Sequence, residues 1–373
     1  MQFSDIVGLE DLKANLVTAI NSSHIAHAQL FAGNPGSANL PLALAYATYL
    51  NCTARLSEDA CGICASCQKM AKFIHPDLHF VFPVSSTKDV TGKDVVSSSF
   101  MKDWRAFLKK NMYGSAADWS NFFGGENKQL NISKEESRHI IKDLSLKSFE
   151  GKYKVMLIWL PEYMNPACAN GILKILEEPP ENTVFLMVAN QTEGLLMTIL
   201  SRTQMVRIRS FTDAEISKIL VDTRQIDAGK ANQVAHLADG NLTEALVLVE
   251  DVEDNSHHLF RDWMRLCYTQ DFTQLVSWTE IFGRMNKVAQ KGFLQYGLTM
   301  MRETLLAHYA KTLGRLQGEE EIFIDKFSQS LAPDKIEQIT NHLNQAHYHL
   351  ERNANTKILF LDLSIAIAKS IRS

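Results

Sequence analysis

Between a short buried-looking run, Ala28-Gln29-Leu30-Phe31-Ala32, and a helix-forming run from Leu40 to Leu50 lies Gly33-Asn34-Pro35-Gly36-Ser37-Ala38-Asn39-Leu40. A working phosphate loop reads G-x-x-x-x-G-K-[ST] in this strand–loop–helix setting. Its glycines let backbone N–H groups cradle phosphates, its Lys reaches the β/γ-phosphates, and its Ser/Thr holds Mg²⁺. Here Gly33 and Gly36 remain, but Ala38 replaces the second motif glycine, Asn39 the lysine and Leu40 the hydroxyl residue. Asn39 carries no charge, and Leu40 offers no oxygen to a hard cation. The frame constrains the fold while the chemistry of the loop is gone.

Three more apolar runs read as strands: His79–Phe82 after the turn signal His75-Pro76-Asp77, Lys154–Leu160 and Thr183–Val188. Continuous apolar strands alternating with helices specify a parallel sheet covered on both faces. Leu12, Leu16, Val17 and Ile20 form a helical stripe ahead of it. From Phe211 onward strand patterning disappears. Phe211–Val249 reads as a small helical unit broken at Asp239-Gly240, and helical stripes follow Asp251 (Phe260, Trp263, Met264, Cys267 and Tyr268; Leu298, Met301, Leu305 and Tyr309). The final run, Ile358–Ile371, is apolar on nearly every side, the mark of a helix buried in a core or between subunits. The expected division is an α/β domain over 1–209, a helical lid over 210–250 and a helical domain over 251–373.

Within the first domain the pattern loosens between Val84 and Asn131. Ser, Thr, Lys and Asp dominate up to Ser99, then Phe100, Trp104, Phe107 and Leu108 fall at helical spacing before Gly124-Gly125. This reads as an insertion, about 84–131, with one amphipathic helix: a surface decoration with a small apolar contact of its own, or else a partner or DNA contact.

A chain of 373 residues, 46% hydrophobic and 21% charged, has room for two or three ordinary globular domains. A net charge of −4 argues against a global basic field and a free-standing DNA-binding module. Met1–Asp5 lacks the basic and apolar regions of a signal peptide. Ile358–Ala368 is too short to span a bilayer and contains Asp362. No membrane association and a cytoplasmic location are expected.

Four of the six cysteines, Cys52, Cys61, Cys64 and Cys67, lie within sixteen positions. Four thiolates at about 2.3 Å around Zn²⁺ close a tetrahedral structural site, with no position left for substrate. Isolated thiols would not cluster in this way, and overlapping C-x-x-C-x-x-C suits a ligand set better than one exchangeable pair. An iron–sulfur cluster is the other ligand-based reading, though no redox context accompanies it. Arg55, Lys69 and Lys72 are placed in sequence to offset the excess negative charge. The twelve histidines show no ligand spacing, and His257-His258 reads as a solvated loop pair.

Asp5-Ile6-Val7-Gly8, His27-Ala28 through Gly33, the cysteine set, Leu176-Glu177-Glu178-Pro179-Pro180-Glu181-Asn182, Ile199-Leu200-Ser201-Arg202 and Asn353-Ala354-Asn355 together resemble the bacterial DNA polymerase III clamp-loader subunits of the AAA+ family. The resemblance spans nearly the whole chain apart from the insertion. It implies a degenerate AAA+ domain with a zinc knuckle over 52–67, the lid, and a C-terminal collar that assembles subunits. Two relatives compete within the family, the ATP-hydrolysing gamma/tau type and the non-hydrolysing delta-prime type.

In hydrolysing relatives the strand before Met164-Asn165 ends in Asp-Glu, for Mg²⁺ and the attacking water; here Trp159 and Leu160 stand there. The later sensor arginine falls at Thr243, and the polar sensor at Asn190, expected to serve as a structural hydrogen-bond donor. Ser201-Arg202 matches the family's arginine-finger motif, with Thr203 in place of its cysteine. Arg suits such a role because its planar fork is always charged and pairs bidentately with phosphate. The resemblance therefore implies a delta-prime-like stator without ATPase activity of its own. It would belong to a hetero-pentamer with gamma/tau and delta, which loads the sliding clamp on primer-template DNA within the polymerase III holoenzyme. The alternative is an atypical gamma/tau ATPase using Asn39 and Glu162.

Overall fold

The computed structural model describes residues 1–125, 128–251, 256–285, 287–309, 319–352 and 354–372. Two compact units form, Met1–Glu215 with Gly240–Thr243, and Ile216–Asp239 with Glu244–Ser373. Asn353 of the family-like Asn353-Ala354-Asn355 run lies outside the described residues.

The first unit opens with α1 (Glu10–Asn21), β1 (Ala28–Ala32), α2 (Asn39–Asn51), α3 (Ala65–Ala71) and β2 (Leu78–Val81). It continues with α4 (Met101–Lys110), α5 (Ala116–Phe122), α6 (Lys134–Ser145), β3 (Lys154–Trp159), α7 (Pro166–Glu177), β4 (Thr183–Ala189), α8 (Met197–Leu200) and β5 (Gln204–Arg207). The strands make one parallel sheet in the order β2-β3-β4-β1-β5. The register sets Leu30 beside Met187 and Met205, and Trp159 beside Val188. β1, β3 and β4 are buried along their whole length, as continuous apolar runs require.

One sheet face buries Leu30, Met156, Ile158, Phe185 and Met187 under Ile140 and Leu144 of α6 and Ile172 and Leu176 of α7. α2 is buried at all thirteen positions, the environment of a helix covered on every side. Its Asn51 side chain receives the Tyr153 N–H at 2.9 Å and donates to the Tyr153 carbonyl at 2.8 Å, which fixes the approach to β3. Asp77 accepts three backbone N–H groups, from Phe149, Glu150 and Gly151, at 2.6–2.9 Å, and its carboxyl is held below the usual range by these amides despite burial. β5 was not anticipated: Gln204-Met205-Val206-Arg207 is a largely exposed edge strand without an apolar run.

The insertion is not a surface decoration. Val84 and Asn131 exchange backbone hydrogen bonds at 3.1 and 3.0 Å, so the segment leaves and returns at one point. It carries two α-helices, α4 and α5, rather than one. Trp104 and Trp119 are fully buried. Phe82 stacks on Trp104 at 4.3 Å between centroids, Trp119 meets Trp104 edge-on at 5.1 Å, and the Trp119 indole donates to the Pro83 carbonyl at 2.8 Å. These rings bring β2 and the insertion into one aromatic core, which sequence spacing within α4 alone could not reveal.

The second unit is helical: α9 (Asp213–Arg224, which begins in the first unit), α10 (Ala228–Leu237), α11 (Leu242–Asp251), α12 (Ser256–Thr269), α13 (Phe272–Arg284), α14 (Lys287–Tyr309), α15 (Glu319–Ser330), α16 (Pro333–Glu351) and α17 (Thr356–Arg372). Asp239 and Gly240 both take positive φ between α10 and α11, as their turn-forming types allow. Phe360 of α17 stacks on Phe282 at 4.1 Å, and the Trp263 indole donates to the Ser364 hydroxyl at 2.9 Å. His236 and Glu303, both buried, meet at 3.2 Å and tie α10 to α14. His257-His258 is no loop pair: both residues lie in α12, with His257 Nδ1 3.1 Å from the Tyr296 hydroxyl. Among the described residues no helix is long and apolar enough to cross a membrane.

Candidate functional site

The loop from β1 turns at Gly36, whose φ of +74° favours glycine and where an added Cβ would collide with the Asn241 side chain. It delivers the N-terminus of α2, where free N–H groups would ordinarily receive an anion. Asn39, at the lysine position, is buried and turned inward: its Nδ2 donates to the Gly33 carbonyl at 2.8 Å and to Asn190 Oδ1 at 3.1 Å. The bond shown for the Asn190 side chain is thus an accepted one, at Oδ1. Leu40 and Ala38 are buried.

Trp159 ends β3 and Leu160 follows it, with 2% and 1% exposure. Trp159 packs against Trp104 at 4.9 Å and Phe107 at 6.3 Å. Glu162 is held by backbone amides after β4. Its Oε1 accepts the Asn190 and Gln191 N–H groups at 3.0 and 3.3 Å, and burial raises its pKa against the pull of those amides. Thr243 donates its hydroxyl to the Tyr113 carbonyl. What remains of the cleft is a recess of about 20 Å³ lined by Gly36, Asn39, Tyr113, Gly114, Trp159 and Asn190. Small-molecule pockets run to about 300–1,000 Å³.

Arg202 lies elsewhere, just past α8, with its side chain 31% exposed. Its Nη1 donates to the Thr198 carbonyl at 3.1 Å and the Ser201 hydroxyl at 3.3 Å, while Nε and Nη2 approach Glu177 Oε2 at 3.4 Å. Ser201 caps α8 and is exposed. The Thr203 hydroxyl donates to the Ile199 and Leu200 carbonyls at 3.2 and 3.3 Å, so it braces the same helix end. Leu196, Met197 and Met205 are exposed large apolar residues in this segment. The Glu177 contact was missed because its partner is 25 residues away, across β4.

The Cys52, Cys61, Cys64 and Cys67 sulfurs all lie within 4.8 Å of one another. Cys52–Cys61 is 3.6 Å and Cys61–Cys67 is 4.0 Å, close to the edge of about 3.8 Å for a tetrahedron with Zn–S bonds of about 2.3 Å. Backbone N–H groups of Cys61, Cys64 and Cys67 donate to the sulfurs of Cys52, Cys61 and Cys64 at 3.3–3.4 Å, favouring thiolates. The donor set fits zinc. None of the hydrogen bonds described for Arg55 or Lys69 reaches a sulfur. Arg55 donates to the Tyr49 and Leu50 carbonyls, and Lys69 pairs with Glu150 at 2.5 Å. Cys168 and Cys267 are buried apart from the cluster, their thiols pushed up to about 12 by burial.

A five-stranded parallel sheet with a phosphate-loop frame, a four-cysteine knuckle and a C-terminal helical region defines a degenerate AAA+ architecture. Residues 8–212 match the family described as "DNA polymerase III, delta subunit", and with more than half of its length matched the chain belongs to that family, among the gamma/tau/delta type of clamp-loader subunits. DNA polymerase III subunit tau of Bacillus subtilis is 22% identical over 394 residues, covering 99% of this chain and 61% of that protein. Subunit tau of Escherichia coli is 26% identical over 253 residues, covering 66% and 32%. The chain thus spans between a third and three-fifths of the length of these relatives. Among solved structures, a Thermotoga maritima gamma subunit-related protein aligns with a TM-score of 0.41 at 14% identity, covering 96% of this chain and 99% of that one. The Bacillus subtilis clamp loader delta protein aligns with a TM-score of 0.28 at 12% identity, covering 82% and 98%.

Proposed function

We propose that this chain is the delta-prime-type subunit of a DNA polymerase III clamp loader: a stator that does not hydrolyse ATP and presents Arg202, with Ser201 beside it, to the nucleotide site of a neighbouring subunit. Its partners would be gamma/tau and delta subunits in a hetero-pentamer acting on the sliding clamp and primed DNA in the cytoplasm. Residues 210–250 would serve as a lid and 251–373 as the collar. One contrast carries the reading: Asn39, Leu40, Trp159 and Thr243 leave this chain's own site without cation, metal ligand, acid or sensor, while Arg202 remains in place and partly exposed. A guanidinium placed by a neighbour stabilises charge developing on the transferred phosphoryl group, worth about 10³–10⁵ in rate in GTPases. Zinc held by the four cysteines would be structural, fixing the loop between α2 and α3.

The names of the matched relatives keep an atypical ATP-hydrolysing gamma/tau subunit as the second reading. It requires Asn39 and Glu162 to do the work of Lys and Glu, and both side chains are engaged with Asn190. In the reconstituted complex, Arg202→Ala should leave assembly intact and lower turnover at the adjoining site by about 10³-fold. Undiminished ATPase activity in that assembled complex would sink the proposal.

A further inference from the structure

The part of the insertion that reaches the cleft does more than fill space. The phosphate loop, the Met112–Ser115 turn and the Gly240–Thr243 turn are tied to one another. Leu242 N–H donates to the Gly36 carbonyl at 3.1 Å, closing the loop onto the second turn. Thr243, at the position matching the family's sensor arginine, gives its hydroxyl to the Tyr113 carbonyl, closing that turn onto the insertion. Tyr113 packs edge-on against Phe211 at 5.9 Å, and Asn34 Nδ2 donates to the Ser210 hydroxyl at 3.0 Å, which joins the strand exit after β5 to the same knot. Behind it, Trp104 and Phe107 cover Trp159, where an acidic residue would otherwise face a metal ion.

We infer that residues 101–123 are a built-in stopper that stands in for a nucleotide: the Met112–Ser115 turn lines the same recess as the phosphate loop and holds Thr243 of the 240–243 turn, which itself bonds Gly36, whether or not ATP is present. The inference rests on the reading of this cleft as inactive and goes beyond it. Loss of the catalytic groups alone would leave an open cleft still able to hold adenine and ribose. A cleft reduced to a recess of about 20 Å³ lacks the room a nucleotide needs, and a ligand shifts a conformational equilibrium only through differential affinity for its states. The stopper thus makes this subunit's loop-to-turn geometry constant through cycles in which hydrolysing neighbours open and close.

Amide hydrogen exchange on the full chain tests this, comparing wild type, Thr243→Val and Trp104→Leu with and without Mg–ATP. Wild type should exchange slowly at 33–38 and 240–243, unchanged by ATP. Thr243→Val keeps the side-chain shape and removes the donor, so it covers the case in which Trp104→Leu does not fold. In folded variants, exchange in both segments should rise about tenfold or more while β1, β3 and β4 stay protected. Unchanged exchange at 33–38 in a folded variant would overturn the stopper, as would protection of that loop by ATP in wild type. The Arg202→Ala measurement is read separately in the complex, so its failure would remove the proposed function without touching the stopper.

Discussion

Arg209 and Glu215 show how single side chains set local stability here. The two meet in a forked pair at 2.6 and 2.7 Å, and Glu215 also accepts the Thr212 N–H at 2.8 Å while its own N–H goes to the Thr212 hydroxyl. The result is a capping box at the start of α9. The Arg209 guanidinium is the main cause that holds the Glu215 carboxyl down at about 2, below its ordinary 4.5. A depressed acid stabilises the fold above its unfolded pKa, and that contribution fades as pH falls toward its folded value. The stability difference between wild type and Glu215→Gln should therefore be fully present above about pH 4.5 and vanish near pH 2. A difference that stays constant across that range in acid-unfolding curves would contradict the assignment. Arg209 is half-exposed, so the effect is modest. Arg202 also faces a glutamate, but at 3.4 Å and at the surface, a contact loose enough to yield to a phosphate.

Among the elements, the cysteine knuckle and the insertion had very different legibility. Cys-x-x-Cys-x-x-Cys spacing carries its chemistry on its face, and the four sulfurs do converge. The direct partners of the nearby cations were not legible: Arg55 bonds carbonyls at the end of α2 and Lys69 pairs with Glu150. Zinc binding would contribute folding free energy directly to this loop. Chelation, or Cys64→Ser, should lower the thermal midpoint by several degrees and expose 52–72 to proteolysis, with α6, α7 and the sheet still folded. A chain whose midpoint is indifferent to both would show that the cluster holds no structural metal. For the insertion, the Phe100–Leu108 stripe announced a helix, but its partner Trp159 was visible only as a lost acidic residue. That one indole both removes the acid and seats Trp104 is a fact of packing between segments 55 positions apart, beyond any local periodicity. β5 escaped for the opposite reason, being a polar, exposed edge strand of four residues.

At the scale of the whole molecule, the apolar strands, the phosphate-loop frame and the switch to helices after Phe211 were all readable. They are dictated by burial periodicity and turn chemistry. The grouping of Ile216–Asp239 with the C-terminal helices was not, since it depends on tertiary ties such as the buried His236–Glu303 pair. As proposed, this chain's own nucleotide site is closed and its arginine serves a neighbour's. Equilibrium titration of Mg–ATP against the isolated chain, alongside Asn39→Lys, tests the first half most directly. Neither protein should show saturable binding tighter than about 1 mM, because a restored lysine still meets a narrow recess walled by Tyr113 and Trp159. Tight, Mg²⁺-dependent binding by the wild-type chain would contradict it.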